Sequence, residues 1–369
     1  MHVRTSHLST RPVRAVLLVL GMLAALLAAA LPGAGSAQAA VPDRWGFAYL
    51  DNATPPPAYV PDPSRQWGSW ASPSTNPVKV DQIGLGAYVV HFPLIGGSGG
   101  IAHATAVNSA GQWCQVADWT TVGSGQDVYV SCYLPSGAPA NSTFTVLYTR
   151  SSGVPATPSG SYGYLNSDGA GTVLTQYNST GAVNAVSKGS TGVWKAWLPG
   201  LGLSGNAGDL QVTAVDAVQG ARCKVADWAP GTTGQTILVT CYDASNAPYD
   251  AEWTLSYSYL RAVHGPAFPP RSFGYLWYNG SLPPLTNYNS AGATNTLGGS
   301  GSPFTVTMPT VGNPPDTAQV TAYGSGASYC GLHTPWVRSG GSVRLYIACF
   351  APGGAPARVP FFTAYTSAF

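Results

Sequence analysis

The chain has 369 residues, of which only 8% are charged, against roughly a quarter in ordinary globular proteins. Lys and Arg number 16 and Asp and Glu 14, while 45 Gly and 31 Pro make up about a fifth of the chain. This balance excludes a nucleic-acid binder, which needs a basic field, and a charged disordered tail; a single glutamate, Glu252, also argues against long helices.

At the N-terminus, Arg4, Arg11 and Arg14 precede an almost wholly apolar run over residues 15–30. Leu31-Pro32-Gly33 breaks that run before Ala37-Gln38-Ala39-Ala40. A basic head, an apolar stretch and small residues at a cut point predict a secretory signal peptide over residues 1–40. A membrane anchor is the alternative, since the run approaches the roughly 20 residues that span a bilayer. The Pro-Gly break and the A-x-A pattern favour cleavage, after Ala39 or Ala40. Removal leaves 13 basic against 14 acidic residues, a formal charge of −1. The apparent basicity therefore belongs to the export segment, and no later segment is apolar enough to span a membrane.

Beyond the signal, the chain repeats. Its six cysteines fall in three pairs, Cys114/Cys132, Cys223/Cys241 and Cys330/Cys349, separated by 18, 18 and 19 residues. Trp113-Cys114-Gln115-Val116-Ala117-Asp118-Trp119 parallels Arg222-Cys223-Lys224-Val225-Ala226-Asp227-Trp228, with a looser third copy from Tyr329 to Trp336. Each copy opens on an aromatic strand: Gly46-Phe47-Ala48-Tyr49-Leu50, Ser161-Tyr162-Gly163-Tyr164-Leu165 and Ser272-Phe273-Gly274-Tyr275-Leu276. Pro-rich joints at 151–161 and 262–272 divide the chain into modules over 41–151, 152–262 and 263–369.

Inside the modules the pattern has period two, so strands are expected throughout. Tyr88, Val90 and Phe92 share one strand face, as do Trp194, Ala196 and Leu198, and Phe304, Val306 and Met308; each strand ends at a proline, Pro93, Pro199 or Pro309. The next strand turns Ala104/Ala106, Val212/Ala214 and Val320/Ala322 inward and His103, Gln211 and Gln319 outward. Seven or eight strands per module predict an all-β protein of three tandem β-sandwich or jelly-roll-like modules of about 105 residues. A cysteine separation of 18 is too short for an immunoglobulin inter-sheet bridge and suits neighbouring strands joined by a hairpin-like loop. One disulfide per module is expected. Two sulfurs without a nearby histidine match zinc poorly, so neither metal nor cofactor is expected.

The recurring order of aromatic strand, Y-N-S-x-G (Tyr177 to Gly181, Tyr288 to Gly292), Q-V-T-A (Gln211 to Ala214, Gln319 to Ala322) and x-C-x-V-x-x-W resembles a tandem cysteine-bridged module of secreted bacterial proteins, which generally carries no assigned function. More distantly, the strand order is similar to the jelly-roll heads of complement-type and phage tail-fibre proteins. That resemblance implies trimeric assembly, and hence an intramolecular pseudo-trimer for three copies in one chain.

Candidate chemistry is sparse. Asp118 and Asp227 continue the Cys114/Val116 and Cys223/Val225 faces and are expected to be partly buried, as caps of backbone N–H groups or as acids. Glu252 reads as an exposed strand position. His91 and His103 project outward on neighbouring strands and read as two solvated histidines. Gly96-Gly97-Ser98-Gly99-Gly100 matches G-x-S-x-G, but a strand follows it where a nucleophile elbow needs a helix. Aromatics off the core pattern offer the best binding reading: Trp197, Trp277, Tyr278, Tyr129 and Tyr346 either stack on a ligand or pack between modules. The expected function is a secreted, non-enzymatic binding or adhesion protein whose partner is an extracellular glycan or protein. The alternatives are an extracellular hydrolase with an inter-module site, and a protein-binding or inhibitory surface protein using loops such as 55–66.

Overall fold

The computed structural model describes residues 43–70, 75–151, 160–202, 207–265, 271–299 and 301–369. The predicted signal peptide over 1–40 lies outside these residues. The first module consists of β1 (Arg44–Leu50), β2 (Gln66–Gly68), β3 (Lys79–Gly84), β4 (Ala87–Phe92), β5 (Ile101–Val107), β6 (Trp113–Val122), β7 (Gly125–Tyr133) and β8 (Thr143–Arg150). The second runs through β9 (Ser161–Ser167), β10 (Val173–Asn178), β11 (Ala185–Lys188), β12 (Val193–Pro199), β13 (Asp209–Val215), β14 (Ala221–Gly231), β15 (Gly234–Asp243) and β16 (Glu252–Tyr259). The third comprises β17 (Phe273–Tyr278), β18 (Thr286–Asn289), β19 (Thr296–Gly298), β20 (Phe304–Met308), β21 (Asp316–Ala322), β22 (Tyr329–Ser339), β23 (Ser342–Phe350) and β24 (Phe361–Ser367). The protein is all-β, with eight strands in each module among the described residues.

Every module pairs its strands in the same way. An inner sheet has the order β2-β1-β8-β5, and an outer sheet the order β3-β4-β7-β6; the other modules repeat this as β10-β9-β16-β13 with β11-β12-β15-β14, and β18-β17-β24-β21 with β19-β20-β23-β22. Between the two sheets lies one apolar core per module. Tyr88, Val90, Val128, Val130 and Phe144 fill the first, Trp194, Ile237, Val239 and Trp253 the second, and Phe304, Val306, Leu345 and Trp336 the third. Of these, Tyr88, Val90, Trp194, Phe304 and Val306 stand on the strand faces that the alternation in the sequence set apart.

All three expected disulfides are formed: Cys114–Cys132, Cys223–Cys241 and Cys330–Cys349. Each joins directly opposed residues of the last two strands of an outer sheet, with Cα atoms 4.0 to 4.1 Å apart. The two ends of each bridge differ in burial. Cys132, Cys241 and Cys349, on the inner strand of the pair, are fully buried in their cores, whereas Cys114, Cys223 and Cys330, on the edge strand, are half-buried.

The modules form a ring. The edge strand of each inner sheet meets the edge strand of another module's outer sheet, through three equivalent backbone bonds. The Asn108 N–H donates to Leu332 O (2.8 Å), the Asp216 N–H to Val116 O (3.0 Å), and the Gly324 N–H to Val225 O (2.9 Å). Module 1 thus joins module 3, module 2 joins module 1, and module 3 joins module 2. Strands β5, β13 and β21 meet at the centre and are buried along their whole length. Their small Ala, Val and Thr residues permit that approach.

One face of each central strand enters its own core, and the other faces the shared axis. There a hydrogen-bond cycle repeats: Thr105 Oγ1 donates to Gln319 Oε1 (2.7 Å), Thr321 Oγ1 donates to Gln211 Oε1 (2.9 Å), and His103 Nδ1 lies 3.0 Å from Thr213 Oγ1. His103, expected to be solvated, is therefore buried, and its Nε2 contacts Ser256 Oγ at 2.9 Å. The outward face of its strand is covered by the other two modules, which period-two reasoning within one module does not register.

Candidate functional site

Each outer sheet turns one face largely to solvent, and register arranges its side chains in rows. On module 1, Lys79, His91, Asp127 and Thr120 stand side by side, with Asp81, Val89, Tyr129 and Asp118 in the next row. His91 is held between two carboxylates, with Nδ1 2.8 Å from Asp127 and Nε2 3.1 Å from Asp81. The Ala58 N–H donating to Asp81 holds that carboxyl below its usual range, and His91 adds to the effect. A groove of about 360 Å³ opens beside His91, Lys79 and Asp127, and another of about 330 Å³ beside Tyr129, Asp118 and Ile83.

The same positions on module 2 carry different chemistry. Trp197 replaces His91, Thr236 replaces Asp127, and Leu238 replaces Tyr129. Trp197 is half-buried, and its ring lies against Gly234, where an added Cβ would come within 2.5 Å of Cη2. A groove of about 430 Å³ runs over Trp197, Lys195, Ser187 and Thr236. On module 3 the corresponding rows hold Thr307 with Arg344, and Thr305 with Tyr346. Trp197, Tyr129 and Tyr346 are all half-buried, one on each outer sheet; among the described residues none stacks on another ring.

Trp277 and Tyr278 are not surface residues. Trp277 is buried where modules 2 and 3 meet, stacked on Phe362 at 5.2 Å and tilted against Trp228 of module 2 at 5.0 Å. Tyr278 is fully buried against Phe304 and Phe361, and its hydroxyl accepts from Arg358 Nε at 2.8 Å. Both lie on β17, an inner-sheet strand buried on both faces. Trp277 thus packs between modules, whereas Tyr278 packs against residues of its own module.

Three of the six cysteines are likewise core groups. Cys132, Cys241 and Cys349 are closed off from solvent, because each sits on the inward face shared with Val130, Val239 and Ile347. A bridge so placed ties two strands together and leaves those three sulfurs out of reach of any surface ligand.

Asp118 and Asp227 are exposed or nearly so, contrary to expectation. A bulge between Val116 and Asp118, and its counterpart between Val225 and Asp227, inserts one residue and reverses the alternation. Trp119 and Trp228 turn toward the core in their place, and each aspartate accepts the N–H of the residue that follows it (2.7 and 2.9 Å). Glu252 departs in the other direction. It is half-buried, accepts from Asn166 Nδ2 at 2.9 Å, and has its carboxyl raised by burial, with Asp118, Asp168 and Asp216 adding to that. The G-x-S-x-G stretch is a loop leading into β5, as its context implied. Loop 55–66 is engaged with module 3: Arg65 lies over the Trp336 ring at 4.4 Å and donates to its carbonyl, while Arg338 reaches back to Ser64.

Sequence reasoning passed over Arg222 and Lys224, both buried near the axis. A signal was present, because the first two copies of the cysteine heptapeptide differ only where Trp113 becomes Arg222 and Gln115 becomes Lys224. Among the described residues no group of His, Cys, Asp and Glu is arranged to hold a metal ion, and no helix is long and apolar enough to cross a membrane. No protein-family model, curated protein or solved structure matches the chain.

Proposed function

We propose that the chain is a secreted, non-enzymatic protein that binds an extracellular glycan through the outer faces of its ring. One observation carries the reading: each module presents a half-buried aromatic ring, Tyr129, Trp197 or Tyr346, on its outer sheet and spends it on no other ring. Such rings offer apolar area to a sugar face, and their polar neighbours, Asp118, Lys195 and Arg344, offer hydrogen bonds to hydroxyls. Three faces on one rigid ring would act together, so modest contacts could sum to useful avidity. Three disulfides agree with an oxidising compartment outside the cell.

The test is a glycan array with insoluble-polysaccharide pull-down, using the intact chain and the Tyr129→Ala, Trp197→Ala and Tyr346→Ala variants. Each substitution should weaken retention, and the triple variant should abolish it while near-UV circular dichroism stays native-like. Retention of the triple variant at the level of the parent would refute the reading.

A second reading, an extracellular hydrolase working between modules 1 and 2, rests on the raised carboxyl of Glu252 within electrostatic reach of Asp118. Glycoside hydrolysis uses two carboxyl groups flanking the scissile bond. Turnover of glycoside substrates that Glu252→Gln abolishes would favour it.

A further inference from the structure

A cavity of about 50 Å³ lies where the three modules meet, beside the disulfides, and Arg222 and Lys224 both line it. It exceeds the roughly 30 Å³ that one water takes in the liquid, so it admits only a small ligand. No carboxylate lines it. We propose that this cavity binds one small oxyanion, held by the Arg222 guanidinium and the charge of Lys224.

Arg222 is 7% exposed and is sandwiched between Trp113 and Tyr329, with ring centroids at 4.4 and 4.5 Å. Its Nη2 donates to Asn246 Oδ1, whereas Nε and Nη1 are buried without a hydrogen-bond partner. Lys224 Nζ donates to Ser328 Oγ at 2.9 Å and reaches the Ser325 and Ser328 carbonyls at 3.3 Å, all neutral acceptors. Neither cation has a carboxylate ion-pair partner among the described residues. Tyr329, whose hydroxyl burial pushes up to about 12, is a neutral polar neighbour of the Arg222 guanidinium, and Asp243 acts on that guanidinium only through space.

Two buried cations side by side without a counter-charge in contact are costly. Lysine can escape by losing its proton, but arginine cannot. Burial, with Arg222 beside it, pulls the Lys224 ammonium down to about 7, so near neutrality it keeps its proton only partly. An anion in the cavity would supply acceptors for the idle Arg222 N–H groups and restore the charge of Lys224. Because that restores a proton, binding should be tighter below pH 7 than above it.

Isothermal titration of the intact chain with sodium sulfate, and separately with phosphate, tests this at constant ionic strength held with chloride. One saturable site per chain is expected, weakened roughly tenfold or more in Lys224→Gln and weaker at pH 8.5 than at pH 6. Selenate soaked into crystals should give an anomalous peak between Arg222 and Lys224. Should Arg222→Gln fail to fold, Lys224→Gln still decides. No saturable binding of either anion, or equal binding by Lys224→Gln, would overturn the proposal.

Discussion

Asp209 is the first residue of β13, buried at 2% exposure, and both its carboxylate oxygens accept from Gln211 Nε2 at 3.2 and 3.0 Å. No cation pairs with it among the described residues. Burial therefore raises the carboxyl from 3.8 to about 7, against the opposing pull of Gln211. The unfolded chain ionises near 4 while the folded chain holds its proton to about 7, so folding is favoured at low pH. That advantage is lost as pH rises through 7. At about 1.4 kcal/mol per pH unit, the full loss approaches roughly 4 kcal/mol. Asp209→Asn keeps the shape and an acceptor for Gln211 but cannot ionise. Denaturant unfolding of parent and variant should agree near pH 4 and diverge above it, the variant becoming more stable by a few kcal/mol at pH 8. A difference that stays constant from pH 4 to 8, or a variant less stable than the parent at pH 8, would refute the reasoning.

Other residues give distinct signatures. His264 stacks on Trp45 at 4.1 Å with neither ring nitrogen partnered, and burial lowers it from 6.5 to about 3; stability should fall as pH drops below 6.5, and His264→Phe should recover about 3 kcal/mol at pH 4 in acid unfolding. Trp277→Ala should cost about 3–5 kcal/mol in a denaturant titration because it empties the contact between modules 2 and 3. Replacing Cys223 and Cys241 together by serine should cost about 3 kcal/mol through the reopened loop, seen as a lowered unfolding midpoint.

The architecture within each module was legible because its buried faces follow strict alternation. Tyr88/Val90/Phe92 and their counterparts all point into the cores, as do Cys132, Cys241 and Cys349 opposite their partners on the neighbouring strand. Two kinds of information were hidden. Bulges at Asp118 and Asp227 reverse the alternation without changing the local spelling, so the aspartates face solvent and the following tryptophans turn inward. Contacts between modules reverse the meaning of "outward", which is how His103 and Trp277 came to be buried, whereas Tyr278 is buried against Phe304 and Phe361 of its own module. The candidate faces were only partly legible. Trp197, Tyr129 and Tyr346 fell on the open side of the sheets, but the bracketing of His91 by Asp81 and Asp127 depends on side-chain reach across three strands.

The position before the first cysteine shows what covalent linkage of the modules permits. In a trimer of identical chains every residue beside the axis meets two copies of itself, and an arginine there would set three guanidinium groups against one another. Here the three positions are written independently in one gene, as Trp113, Arg222 and Tyr329, and the single cation lies between two aromatic faces. The same independence extends to the periphery, where His91, Trp197 and Thr307 occupy equivalent places. Fusion frees each copy from repeating its neighbours, so a scaffold of threefold pattern can carry an asymmetric set of contacts.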